Sequence, residues 1–445
     1  MQIIIRVFIT IMVAGGVIVT GCQKSTVTSS KESSISLADV PGSTHNTSSS
    51  CDHTVPNDYG SIQDAIDNAS SDDVVCVDAG TFPEQLTIDK ALTLRGSGYS
   101  SSGTVLEGTD SGTGLEVASS NVTVEKIRIE GFNDGIELSS AMSNLLFKDV
   151  YSVENTTRGM TIGGGADLTG ITMDGVSFSH NEGDGIRAST ASKVEDLTIR
   201  DSHFDSNSGS PASSGIEVYQ NSSNPGYFTN VLIKHTTFNN NGEKGMYLEK
   251  LNNATFDNIT VNSSGTNSNY GFNNGIDINL KYGDYENITI KNSTITNSGL
   301  DSPDAPNPLF PAAIAIKARD DGSTYGTNPA TLIGVNIVHT TITDNVSGIR
   351  LGEPGKENAT PTNVEITNSN IYDNVRYGVI NETLSKVSAT CDYWGHATGA
   401  MHEDNPKKKP KGDMVTDGVN FIPWSVRQIG QGQNPSNACV GGNNK

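Results

Sequence analysis

Apolar and polar residues alternate in one short element that recurs nine times along the chain. It reads DGIEL at 134–138, RGMTI at 158–162, DGIRA at 184–188, SGIEV at 214–218, KGMYL at 244–248, NGIDI at 274–278, AAIAI at 312–316, SGIRL at 347–351 and YGVIN at 377–381. Aligned on the residue after the glycine or its substitute, the elements stand 24, 26, 30, 30, 30, 38, 35 and 30 residues apart. Period-two alternation predicts strands. The near-constant interval predicts solenoid units that bury their apolar side only by stacking. Most intervals hold a second strand candidate, such as VEDLTIRDSHF, FTNVLIKHTTF or YENITIKNSTI. Parallel strands need long crossovers, and with no room for covering helices the crossovers must be strands on other faces of the same coil. The expected fold is all-β, a single-stranded parallel β-helix. The recurrent glycine suits a tight corner with φ above zero, and recurrent Asn suits bonding to its own backbone or a ladder with the next coil. A β-sandwich also has short strands, but gives no reason to repeat one pentapeptide at this spacing.

The two ends break the pattern as caps should. Ile62, Ala65, Ile66 and Ala69 fall at helical spacing behind Ser61, a possible N-cap, and predict a helix over the open first coil. Trp394, Phe421 and Trp424 are expected to cover the last coil. Cys51 and Cys76 bracket the start of the folded part, and Cys391 and Cys439 its end. In an oxidising compartment proximity pairs 51 with 76 and 391 with 439, although four cysteines permit three connectivities.

Residues 1–21 read as a signal segment, one Arg before a long apolar run, and VTGC at its end resembles the lipobox of bacterial lipoproteins. That resemblance implies cleavage before Cys22, a diacylglycerol anchor on its thiol, and placement on the bacterial outer membrane, at the cell surface or periplasmic face. A plain transmembrane anchor is the alternative. Residues 22–50 are Ser/Thr-rich and polar, a tether. Residues 51–440 are expected to form one β-helix domain with its caps, and 441–445 a tail.

Stacking the nine elements puts residues about 30 apart in sequence about 4.8 Å apart in space. One outward column then holds Glu137, Thr161, Arg187, Glu217, Tyr247, Asp277, Ala315, Arg350 and Ile380. A second, two residues on, includes Tyr219, Glu249, Asn279 and Lys317, with Arg319 beyond. Ordinary coils show Ser, Thr and Asn here, so the charged middle of the ribbon is either a cross-coil ion-pair ladder or a ligand groove. Insertions at 299–311, 319–329 and 351–361, with a further loop at 262–275, favour an open groove, because long loops on a scaffold carry recognition.

Formal charge is -21, with 29 Lys plus Arg against 50 Asp plus Glu. That balance argues against nucleic acid as a partner. It fits a monomeric protein that handles neutral sugars, or an anionic polysaccharide if the few cations are concentrated. His396 and His402 in the closing segment, and the basic run at 405–413, read as loop residues.

The stretch VPNDYGSIQDAIDNASSDDVVCVDAGTFPEQLTIDKALTLRGSG, with the coils and CDYWGHATGA followed by FIPW, resembles right-handed parallel β-helix proteins of the pectate-lyase-like superfamily. The resemblance implies the fold's hand and a polysaccharide partner. It does not choose among lyases, hydrolases, esterases, epimerases and surface proteins. The NTD, paired DD, GHG and RIK set of polygalacturonases and the DPHD run of mannuronan epimerases are absent from the sequence.

Within that class a polysaccharide lyase ranks first. Lys317 is the expected base, Arg350 or Arg319 the partner of the sugar carboxylate, and Tyr219, Tyr247, Arg187 and Asn279 the substrate contacts. Calcium is the candidate cofactor, with Glu217, Glu249 and Asp277 as its oxygen ligands. The alternatives are a glycoside hydrolase that pairs Glu217 with Asp277, and a non-catalytic carbohydrate-binding or surface protein.

Overall fold

In the computed structural model, residues 50–209, 213–267, 270–300, 307–430 and 439 are described. They belong to the compact unit His45–Lys445. The signal segment, Cys22, nearly all of the tether and the tail lie outside the described residues.

The chain is a right-handed parallel β-helix. Every pentapeptide contributes a strand to one eleven-stranded parallel sheet, which runs from Leu86–Ile88 to Tyr377–Asn381. Its register is the one the repeat demands. Met160 pairs with Ile136 and Ile186, Ile216 with Ile186 and Met246, Ile276 with Met246 and Ile314, and Ile349 with Ile314 and Val379. All nine are at most 3% exposed, so they form one buried stack. Two strands of the sheet precede the nine: Leu86–Ile88 has no glycine-led pentapeptide, whereas Thr113–Val117 reads TGLEV, one more copy of the element, which the count of nine passed over.

The second strand candidates fall in a sixteen-stranded sheet on another face, which also takes up Asn252–Asp257, a segment whose Asn and Asp hide it from a strand reading. A four-stranded sheet of short strands, Thr260–Asn262, Thr294–Thr296, Thr341–Thr343 and Asn370–Tyr372, closes the coils between them.

The expected role of the recurrent glycine needs correction. None of Gly135, Gly159, Gly185, Gly215, Gly245, Gly275, Gly348 and Gly378 has a positive φ. Their absent side chain matters instead: a Cβ on Gly275 would lie 2.6 Å from the Ala313 carbonyl oxygen of the next coil and 3.0 Å from Ser298 Cβ. The left-handed corners belong mainly to Asn and Asp, which tolerate that conformation. One column runs Asn144, Gly170, Asp196, Asn230, Asn253, Asn287, Gly334 and Asn363, all with φ between 49° and 85°.

The Asn ladder is internal as well. Asn155 Nδ2 donates to Asn181 Oδ1 at 3.0 Å, Asn181 to Asn207 at 3.2 Å and Asn207 to Asn241 at 3.1 Å, all buried. Each amide thus satisfies the next where the chain bends inside the coil.

Both caps form. The helix is Ile62–Asn68, and Ser61 Oγ accepts from the Asp64 amide at 3.1 Å. Trp394, Phe421 and Trp424 are buried over the last coil. Disulfides join Cys51 to Cys76 and Cys391 to Cys439.

Candidate functional site

The outward columns come together as the register predicts, with Arg187 beside Glu217, Glu217 beside Tyr247, Tyr247 beside Asp277, and Asn279 beside Lys317. Their surroundings are not those of an open trough. Glu217, Glu249, Asp277, Asn279 and Lys317 are each at most 5% exposed, and Arg350 is fully buried. The insertions fold over the ribbon and leave one pocket of about 350 Å³ above the middle coils.

Strand residues Tyr247, Asp277, Asn279 and Lys317 form the floor of that pocket. Its walls come from the loops. The loop at 262–275 brings Tyr270 and Phe272, Arg319 opens the loop at 319–329, and Glu353 comes from the loop at 351–361. Lys244, the first residue of its strand, and Lys281, just past the end of its strand, complete the lining. Arg319 is clamped by Asp321 at 2.8 and 3.2 Å and lies under Tyr325, 4.3 Å from the ring centroid. Its Nη1 is 3.0 Å from Glu353 Oε2, an ion pair without hydrogen-bond alignment.

Lys317 stands apart from the other cations. Lys244 is hydrogen-bonded to Glu243, and Lys281 to Glu249. Lys317 makes no hydrogen bond to a described protein atom, and its nearest carboxylate, Glu353, is 3.9 Å away. Burial pushes its ammonium down to about 8, with Asp277 and Glu353 opposing and the Arg350 and Arg319 charges adding. An amine so placed is substantially neutral in mildly alkaline solution, as a general base must be. Lys244 is shifted the other way: burial opposes its charge, but Glu243, Tyr270 and Asp277 together raise its pKa.

Tyr247 hydroxyl donates to Glu249 Oε1 at 2.6 Å and accepts from Asn279 Nδ2 at 2.9 Å. Burial, then Glu249 and Asp277, raise its pKa well above the usual phenol, so it keeps its proton. Asp277 Oδ2 accepts from Asn274 at 3.1 Å, while Asp277 Oδ1 and Asn279 Oδ1 are buried with no partner among the described residues.

Three expectations are corrected. Arg350 does not line the pocket. Its Nε donates to the Phe310 carbonyl at 3.2 Å and its Nη1 to the Gly352 carbonyl at 2.6 Å, so it ties two loops together beneath the surface. Glu217 is also outside the pocket. Its Oε1 accepts from the Tyr219 hydroxyl at 2.5 Å and its Oε2 is 3.8 Å from Arg187, so it cannot flank a bond with Asp277. The three proposed calcium ligands do not share one site, because only Asp277 lines the pocket, Glu217 lies outside it on Tyr219, and Glu249 is held by Tyr247, Lys281 and the Gln220 amide. Among the described residues no group of three His, Cys, Asp or Glu is arranged to hold a metal ion.

Glu353, Lys244, Lys281, Tyr270 and Phe272 were missed as individuals. Tyr270, Phe272 and Glu353 sit in loops whose length had marked them, Lys244 opens the recognised element KGMYL, and Lys281 follows the strand that contains NGIDI.

A second depression of about 270 Å³ lies on the same face, over earlier coils, with Arg158, Glu182, Asp184 and Arg187 in its wall. Arg187 lies 4.7 Å from the Tyr219 ring centroid, and Tyr219 meets Tyr247 at 6.0 Å, so aromatic contacts bridge the two.

Solved structures agree on the class of fold. The catalytic unit of a thermostable GH87 alpha-1,3-glucanase from Streptomyces thermodiastaticus superposes with a TM-score of 0.52 at 16% identity, covering 84% of this chain and 66% of that one. The catalytic domain of a GH87 alpha-1,3-glucanase in complex with tetrasaccharides gives 0.54 at 14% identity, covering 84% and 70%. Geobacillus virus E2 ORF18, at a TM-score of 0.40 and 16% identity over 66% of this chain, adds nothing to that agreement, and this chain spans 54% of its length. No family model matches the sequence, and no curated protein matches it.

Proposed function

We propose that the protein is a polysaccharide-active enzyme, a lyase that cleaves a uronic-acid-containing polymer by β-elimination. One observation carries this reading: a lysine only 5% exposed, with no hydrogen-bonded partner among the described residues, opens on a pocket whose lining has four cations, Lys244, Lys281, Lys317 and Arg319, against two carboxylates, Asp277 and Glu353. In a chain of net charge -21, that is a local reversal of sign, and it suits an anionic substrate.

In the proposed reaction neutral Lys317 takes the proton α to the sugar carboxylate. The electron pair of that C–H bond forms the new carbon–carbon double bond, and the glycosidic oxygen leaves with its bonding pair. The ammonium then returns the proton to that oxygen. Lys244, Lys281 and Arg319 face the negative charge that builds on the carboxylate.

Glycoside hydrolysis is the second reading, favoured by the unpartnered Asp277 Oδ1 and by Glu353 across the same pocket. A panel of polyuronates and neutral polysaccharides separates the classes. Products with the ultraviolet absorbance of an unsaturated uronate support the lyase. New reducing ends without that absorbance, lost in Asp277→Ala, establish the hydrolase, and binding without cleavage leaves a carbohydrate-binding protein.

Attachment to the outer membrane through lipid on Cys22 is part of the same proposal, since an anchored enzyme would meet polymer at the cell boundary. Cys22→Ser should release the protein from the membrane fraction; unlipidated wild-type protein would remove the claim.

A further inference from the structure

The pocket is not the only place on the ribbon built for an anion. Arg187 carries five N–H donors and makes no hydrogen bond to a described protein atom, although Asp184 and Glu217 are each 3.8 Å from it. Bidentate geometry with a carboxylate is the preferred arrangement of a guanidinium, and neither neighbour stands close enough to supply it. One oxygen of each carboxyl is engaged elsewhere, Asp184 Oδ1 by the Ser214 amide at 2.8 Å and Glu217 Oε1 by Tyr219, and the other oxygen of each faces the guanidinium from beyond hydrogen-bond distance. Burial, followed by the Glu217 charge, raises the Asp184 pKa well above the usual carboxylate range. Arg158 faces the same depression. Its Nη1 reaches Asp134 only at 3.4 Å, and its Nε is buried with no partner among the described residues.

Tyr219 lies 4.7 Å from the Arg187 guanidinium, which limits how far that fork can swing, while the Arg187 side chain is 35% exposed. The floor between the two depressions is Tyr219 and Tyr247, two aromatic rings in contact, a surface on which sugar rings can lie.

We propose that Arg187 and Arg158 form a distal subsite for a carboxylate of the same polymer, so that the substrate is a run of uronates laid along the ribbon from this depression to Lys317. The subsite rests on the polysaccharide reading above and deepens it to a chain length. By the sheet register Arg187 and Ala315 are four strand steps apart, and Lys317 is two residues beyond Ala315. Four steps span about 19 Å. Several sugar units bridge that distance and a dimer does not.

The test is calorimetric titration of the full chain carrying Lys317→Ala, which keeps the polymer intact, with uronate oligomers of two and of eight sugars. The octamer should bind at least tenfold more tightly than the dimer. Adding Arg187→Gln should erase that advantage and leave dimer affinity unchanged, while Arg187→Lys, which keeps the charge without the fork, should recover part of it. Arg158→Gln should act in the same direction, more weakly. Equal affinity for the two lengths, or an octamer advantage that survives Arg187→Gln, overturns the subsite. An octamer of neutral glucose bound as tightly as the uronate would overturn its selectivity for carboxylate. Because binding is the readout, a protein that binds by length but cleaves nothing keeps the subsite and loses the lyase.

Discussion

Two faces of one solenoid carry charge in opposite ways. On the sixteen-stranded sheet cations and carboxylates meet across adjacent coils in the open: Lys193 with Asp167 at 3.1 Å, Arg200 with Asp174 at 2.7 Å, and Lys291 with Asp257 at 3.2 Å, all partly exposed. These are the ordinary cross-strand pairs of a wet sheet. On the eleven-stranded sheet the same register places Lys317 and Arg350 under loops, one 3.9 Å from its nearest carboxylate and the other on backbone carbonyls. Burying charge so imperfectly matched costs stability. An arrangement that costs stability and lies beneath the long loops, beside a pocket, is what separates a site from a surface.

The largest effect tests that contrast directly. Lys317→Ala should lower turnover by about a thousandfold, the scale of a lost general base, while a surface lysine change such as Lys193→Ala should leave steady-state rates unchanged. In the wild-type protein, kcat/KM should rise with pH through about 8, because only the deprotonated amine accepts a proton. A rate flat from pH 6 to pH 10 would remove Lys317 from the reaction.

Arg350→Ala comes next. It removes the donor that two buried carbonyls share and empties a fully buried site, so denaturant unfolding should show a loss of about 3 kcal/mol.

Lys317→Met should move stability the other way. The folded-state pKa of Lys317 lies below that of the unfolded chain, so the unfolded state binds the proton more tightly. Below about pH 8 both states carry it and the folded state bears the full cost, which is then relieved as pH rises toward the unfolded value near 10.5. The variant should therefore be more stable than wild type by about 3 kcal/mol at pH 7, with the advantage gone by about pH 10.5. Stability unchanged at pH 7 would mean that the lysine is better solvated than its burial implies.

The smallest effect belongs to the other face. Arg200→Ala should cost less than about 1 kcal/mol and lose even that in high salt.

The fold was legible because the repeat is local and redundant. Each apolar residue from Ile136 to Val379 needs only the residue one period away, so counting along the chain fixed the sheet, its register and the neighbours Glu217, Tyr247 and Asp277. The caps were legible for the same reason: Ser61 and Ile66 are read within one helix turn, and Trp394 and Trp424 lie where the repeat stops. The glycines were recognised but misassigned, since a Cβ collision with the next coil and a left-handed φ both select glycine, and only coordinates distinguish them.

The site divides along the same line. Sequence determined which residues share the ribbon, because strand register is a sum of intervals. Tertiary structure decided which of them meet the pocket, because that depends on where loops of irregular length fold back. Those loops brought in Glu353, Tyr270 and Phe272, carried Arg350 below the surface, and left Lys317 facing the opening. A period specifies neighbours one coil apart; it carries no information about a loop whose path is set by its own packing.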